Sequence, residues 1–338
     1  MAETLLVLDE SESAYRILVM FDGRKWRASG IHVKGRQKLG LADMAFQSSA
    51  GGIPMNRAFI FAAIVMASWT NAAKAATFGK CGFDTVSRAF AGTAKEQASC
   101  LLRKVKILGN VDPQSAVLPP NLLGSIGQPL NVSKVKIRQF IEALNLTEND
   151  LGGSLDAGLS RGNNNSSSAP MARYFVIHDT STPNFGNQAF PADVDTNNRV
   201  NGFNPYKSAN NAKAHIFLNR PGAIYVGHDF GVPWRATKLE LKIGTLTKGL
   251  FLHIENVQPR RAHPSQPDGN APTPGFTTVQ YDRLALFYVM TSVRAGQGLI
   301  PAFHAAVDQG LLDGHDDPQN FSLSDFDGAL GRVLEKVR

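Results

Sequence analysis

Three things are scarce in this chain of 338 residues, and each scarcity excludes something. Cysteine occurs twice, at Cys81 and Cys100, too few for a disulfide-dense scaffold; one bridge or two buried thiols are the remaining options. No block of Lys or Arg and no basic helix is present, so nucleic-acid binding has no electrostatic footprint. No apolar run reaches the roughly 20 residues that a membrane-spanning helix needs. What is present, 43% hydrophobic and 19% charged residues, is the balance of a globular protein.

The longest apolar run, Ala58 to Trp69, follows Met55-Asn-Arg57 and is followed by Ala73-Lys-Ala75. A basic start, about a dozen apolar residues and a small-residue exit make a secretory signal peptide over 55–75, with cleavage after Ala75. Met55 is then the expected start, and residues 1–54 an upstream extension mis-assigned to the chain. Export to the periplasm or medium follows, with no stable membrane insertion after cleavage, and it favours a disulfide for the Cys81/Cys100 pair. Residues 1–75 hold 9 of the 35 Lys and Arg and 6 of the 28 Asp and Glu, leaving the remainder at +4. That mild excess suits an anionic polymer such as a bacterial wall.

Residues 76–160 read as a small helical domain. Thr93-Ala-Lys-Glu96 is a capping box ahead of Ala98, Leu101, Leu102 and Val105, and Ser133 to Leu146 resumes a helical period after the Pro- and Gly-rich stretch Pro113 to Pro129. No titratable cluster stands out there. Gly162-Asn-Asn-Asn-Ser-Ser-Ser-Ala-Pro170 reads as a polar linker over 161–170. From Met171 on, strands and loops alternate. His215 to Val226 reads as a hairpin turning at Asn219-Arg-Pro-Gly222, and Leu250 to Val257 as a strand with His253 and Glu255 on one face. Pro259 to Pro274 forms a long polar loop, and Tyr281 to Arg294 an amphipathic helix.

Chemistry concentrates in two separated stretches. Tyr174-Phe-Val-Ile177 is a β-prone apolar run stopping at His178, which places that histidine at a sheet edge facing a cleft. Near the C-terminus, His304 precedes Gly314-His315-Asp-Asp317-Pro318 in a loop able to fold back over that edge. Histidine nitrogens plus a carboxylate, with one position left for water, are the usual catalytic zinc set. His228 and His263 fit no pattern and read as solvated loop histidines.

Four ordered blocks carry a family resemblance: Val-Ile-His178, Ala-His215-Ile-Phe-Leu-Asn-Arg-Pro-Gly222 with Ile-Tyr225, His253-Ile-Glu255, and His304…His315-Asp-Asp317-Pro. In these, residues 171 to about 330 resemble the zinc-dependent N-acetylmuramoyl-L-alanine amidases, which include phage lysozyme-type amidases and peptidoglycan recognition proteins. The resemblance implies an α/β fold with a mixed central sheet flanked by helices, and one zinc per chain held by His178, His304 and Asp317. His315 and Asp316 stay open as alternatives for the third ligand. It implies Glu255 as the catalytic carboxylate. His315 stands where the family places an oxyanion-binding Lys, a departure, since a neutral imidazole is the poorer partner for an oxyanion. His215, Trp234 and Arg235 fall where the family lines its substrate cleft, and His253 stands where the family commonly has a small residue, so that it would narrow the cleft or touch substrate; His215 could equally be a satisfied core histidine and Trp234 could simply pack. The implied substrate is peptidoglycan or a muropeptide, cut between N-acetylmuramic acid and L-alanine. Two other readings remain: a module that binds muropeptide without cutting it, and a zinc hydrolase of another amide or peptide. The sequence does not set the oligomeric state.

Overall fold

The computed structural model describes residues 76–208, 213–265 and 269–338, together with the backbone of three N-terminal strands. Those strands, β1 (Ala2–Leu8), β2 (Ala14–Phe21) and β3 (Trp26–His32), form an antiparallel sheet ordered β1-β2-β3, with Ala2 opposite Met20 and Tyr15 opposite His32. They belong to a compact unit of their own, Met1–Ala73. The segment 55–75, expected as a signal peptide, lies outside the described residues. Among those described, no helix is long and apolar enough to cross a membrane.

The second unit, Lys74–Arg338, is mixed α/β. It opens with a two-stranded ribbon, β4 (Thr77–Phe78) and β5 (Phe83–Asp84), followed by α1 (Ala94–Leu101), α2 (Pro120–Ser125) and α3 (Lys134–Ala143). Helix α1 starts at the Thr93/Glu96 capping box, with both reciprocal hydrogen bonds formed. Helix α2 lies inside the Pro-rich stretch that the sequence suggested would only interrupt helix. Pro120 takes its first position, where a missing N–H costs nothing. A disulfide joins Cys81 to Cys100.

The central sheet has five strands ordered β12-β6-β9-β7-β8. These are β6 (Tyr174–Asp179), β7 (Ile216–Leu218), β8 (Ile224–Val226), β9 (Phe251–Asn256) and β12 (Ile300–Phe303). A small ribbon, β10 (Arg261–Ala262) with β11 (Gly269–Asn270), stands apart within the 259–274 loop. Strands β12, β6, β9 and β7 run parallel, and only β8 is antiparallel, closing the hairpin expected around Asn219 and Gly222. The remaining helices of five residues or more are α4 (Lys238–Ile243), α5 (Thr278–Ala295), α6 (His304–Asp308) and α7 (Leu323–Val337). Helix α5 begins three residues before the expected Tyr281 because Thr277 and Gln280 form a second capping box, and it ends at Gly296 in the left-handed region.

Adjacent residues of β6 show how both faces of the sheet are covered. Tyr174 meets Phe90 edge-on and stacks on Phe251, its register partner in β9. Phe175, pointing the other way, meets Tyr288 of α5. The segment preceding the sheet thus supplies one cover and α5 the other. The described residues of 76–338 are built around one hydrophobic core, from Phe83 and Leu101 to Leu330 and Val337.

The boundary expected at 161–170 therefore separates no compact units. Gly162 N–H donates to Pro170 O, and Ala172 N–H to Ser160 O, so the polar stretch is an excursion whose ends are pinned together. The buried Arg294 adds a cross-tie, donating to the carbonyls of Gly152, Ala157 and Gly158.

Candidate metal centre

The site forms where three neighbouring parallel strands end. Register pairs His178 with Glu255, and His304 follows directly after β12, so all three stand at the carboxyl edge of one sheet face. Open α/β sheets place ligands at such an edge. Asp317 arrives from the loop after α6. Its backbone carbonyl accepts from Ala305 N–H, and its Oδ2 accepts from Asp179 N–H at 3.0 Å.

His178 Nδ1 lies 2.8 Å from His304 Nδ1 and 3.8 Å from Asp317 Oδ2, while His304 Nδ1 lies 3.3 Å from the same Asp317 oxygen. A four-coordinate ion with bonds of about 2.0–2.2 Å holds its ligand atoms roughly 3.3–3.5 Å apart. The observed edges bracket that value, so these buried side chains could hold a metal ion. Of the three candidates for the third ligand, Asp317 completes the triangle with His178 and His304. The Asp316 carboxylate instead accepts from Gln319 Nε2 at 3.0 Å.

Glu255 borders this triangle, its Oε1 3.7 Å from His178 Nδ1. Its Oε2 is buried without a hydrogen-bond partner. Burial, with the Asp317 charge adding, pushes the Glu255 carboxyl up to about 8. Burial and the neighbouring His304 hold His178 well below the usual histidine range. Burial acts in the same direction on His304, but the Asp317 carboxylate outweighs it and holds His304 well above that range. Two nitrogens and two carboxylates thus pull one another's protonation in opposite directions.

His315 stands outside the triangle. Its ring stacks on His304 with centroids 3.9 Å apart, Nδ1 lies 2.9 Å from Asp308 Oδ2, and the side chain is 41% exposed. It can meet a bound molecule at the open edge. His253 and His215, expected in the substrate cleft, are enclosed instead. His253 Nδ1 is 3.1 Å from His178 Nε2, and His215 uses both ring nitrogens, one toward His253 N–H and one toward Val232 O. Both are fully buried and packed against protein groups. Trp234 is half-buried and stacks on His228 with centroids 4.0 Å apart, which also gives His228 a packing role in place of free solvation. Arg235 is half-buried beside it. His263 accepts from Ser265 N–H in the 259–274 loop, with its side chain half-buried.

Sequence reading missed three contributors, Asp179, Asp308 and Glu240. Asp179 accepts from Arg260 at 2.7 and 2.9 Å and from Gln319 N–H at 2.9 Å, fastening the Asp317 loop to the end of β6. Asp308 and Glu240 lie behind the histidines. The available signals were the His304/Asp308 spacing of four on a helix and the Thr237-x-x-Glu240 capping pattern.

Comparison with protein-family models, with curated proteins and with solved structures finds no match to this chain.

Proposed function

We propose that the protein is an exported zinc-dependent amidase that hydrolyses the amide between N-acetylmuramic acid and L-alanine in peptidoglycan or muropeptides. The observation that carries this reading is the convergence of two histidine Nδ1 atoms and an aspartate carboxylate beside a second carboxylate that has one buried, unpaired oxygen. The four sequence blocks supply the substrate class, and they favour an amidase-like version of the mixed sheet. His178, His304 and Asp317 would hold the ion. Zinc in such a site supplies Lewis-acid polarisation and brings the pKa of water from 15.7 to about 7.

The chain's own groups then divide the work. Glu255, poised near neutrality, takes a proton from the attacking water and delivers it to the departing amine nitrogen. Water oxygen joins the acyl carbon, the C–N bond breaks, and the amine leaves with that proton. His315 is held through Nδ1 by Asp308 and its side chain is partly exposed; a hydrogen bond from its Nε2 to the carbonyl oxygen would stabilise developing negative charge. The mild positive charge of the exported portion favours an anionic wall polymer.

Mass spectrometry of digested, purified peptidoglycan tests this reading. Free stem peptides beginning at L-alanine are expected from the zinc-loaded protein and not after chelation. Cleavage at another bond would move the activity to a different substrate. Binding without cleavage would make the protein a recognition module.

A further inference from the structure

A histidine binds a metal through one unprotonated ring nitrogen, and the tautomer is fixed by whatever accepts the other N–H. In His178 and His304 the nitrogens facing the triangle are both Nδ1, so both rings must carry hydrogen on Nε2. Resting on the metal-centre reading, we infer that Glu240 and Asp308 are positioning residues that impose this tautomer, and that both are anchored by the first turn of helix α4.

The His304 arm is direct. Its Nε2 lies 3.1 Å from Asp308 Oδ2. Asp308 is fully buried, and its two oxygens accept from Lys238 N–H and Leu239 N–H, each at 3.0 Å, at the start of α4. A carboxylate held this way only accepts, so the hydrogen belongs on His304 Nε2.

The His178 arm runs through a second ring. His178 Nε2 lies 3.1 Å from His253 Nδ1, and His253 Nε2 lies 3.1 Å from Glu240 Oε2. Glu240, fully buried, closes the α4 capping box, its Oε2 accepting from Thr237 N–H at 3.1 Å and Thr237 Oγ1 at 3.0 Å. The acceptor on one side of His253 puts hydrogen on its Nε2 and leaves Nδ1 as the acceptor for His178 Nε2–H. His215 keeps the His253 ring in place, since the two rings stack at 5.6 Å and His215 Nδ1 accepts from His253 N–H. Neither carboxylate contact, though 3.1 Å long, has hydrogen-bond geometry. Even so, His253 Nε2 and His304 Nε2 have no competing partner among the described residues.

Both arms end in the same way, with an Nδ1 lone pair aimed into the triangle. Two such lone pairs 2.8 Å apart, with Asp317 Oδ1 3.0 Å from one of them, repel unless a proton or a metal cation lies among them. The lock thus makes the triangle a site that demands positive charge. A second cation among His304, Asp308 and His315 does not follow, because Asp308 Oδ2 already receives Lys238 N–H, His304 and His315.

The test uses the full chain, zinc affinity by chelator competition, and long-range proton–nitrogen spectra of labelled histidine rings. In the zinc-loaded wild type, His178 and His304 should both appear as Nε2–H tautomers. His253→Leu should weaken zinc binding about 10- to 100-fold, while His253→Gln, whose amide can accept from His178 and donate to Glu240, should stay within about threefold. Unchanged affinity in His253→Leu, or an Nδ1–H tautomer at His178, overturns the inference while leaving the metal centre intact. A wild type that binds no zinc overturns the metal-centre reading itself, and the inference with it. If His253→Leu does not fold, the wild-type ring spectrum decides alone.

Discussion

Tyr174 and His178 stand on the same face of one strand, four residues apart, in opposite surroundings. Tyr174 stacks on its register partner Phe251 with centroids 4.7 Å apart, and its hydroxyl donates to Gln97 and accepts from Phe90 N–H. The one polar side-chain atom of that pair is satisfied. His178 is also buried and its register partner Glu255 is half-buried, but Glu255 keeps a buried, unpaired oxygen and the neighbouring groups carry conflicting charge preferences. One ladder thus has an end closed by packing and an end left chemically open. Burial without compensation is costly, so the open end persists only where something completes it.

The comparison breaks most sharply at the metal ligands. His178→Ala or His304→Ala should abolish zinc binding and activity, read as metal content per folded chain. Retention of one zinc by either variant would place the ion elsewhere. Next in size is Glu255→Gln, which should keep the metal yet lower turnover by about 10²- to 10⁴-fold, the usual worth of a general base. Full turnover in that variant would remove Glu255 from the proton path.

At the other end the expected effect is on stability alone. Phe251→Ala removes a fully buried ring stacked on Tyr174 and close to Phe83 and Phe90. It should cost about 3–5 kcal/mol in denaturant unfolding while the folded fraction still binds zinc as the wild type does. If zinc affinity fell in step with stability, the two ends would be one cooperative device and the contrast would fail.

Sequence alone goes far at this edge because the signals there are local. An apolar run stopping at His178 marks the end of a buried strand, and the period of two puts His253 and Glu255 on one face. It goes wrong where the answer depends on what packs against that face. His253 follows the period correctly yet points into the interior, because α4 places Glu240 against it, and no spacing within β9 encodes that. Likewise, the composition of 162–170 is that of a linker, whereas hydrogen bonds at both its ends make it a loop on a single core. Polarity is legible residue by residue; closure of a chain on itself is not.

The smallest expected effect is a pH dependence that should belong to the open end only. In the metal-free protein, burial and the Asp317 charge raise the Glu255 carboxyl from 4.5 to about 8. Between those values the folded protein keeps a proton that the unfolded chain releases. The sign follows directly: this contribution to stability is fully present below about pH 4.5 and is lost as pH rises through about 8. Gln at this position cannot ionise, so unfolding free energies of the metal-free wild type and Glu255→Gln, measured across that window, should diverge with the wild type falling. Saturating zinc should shrink the divergence, because a cation beside the carboxylate favours its charged form. A difference curve that is flat without metal would mean that Glu255 is ionised in the folded protein throughout, and that the open end holds no proton to give up.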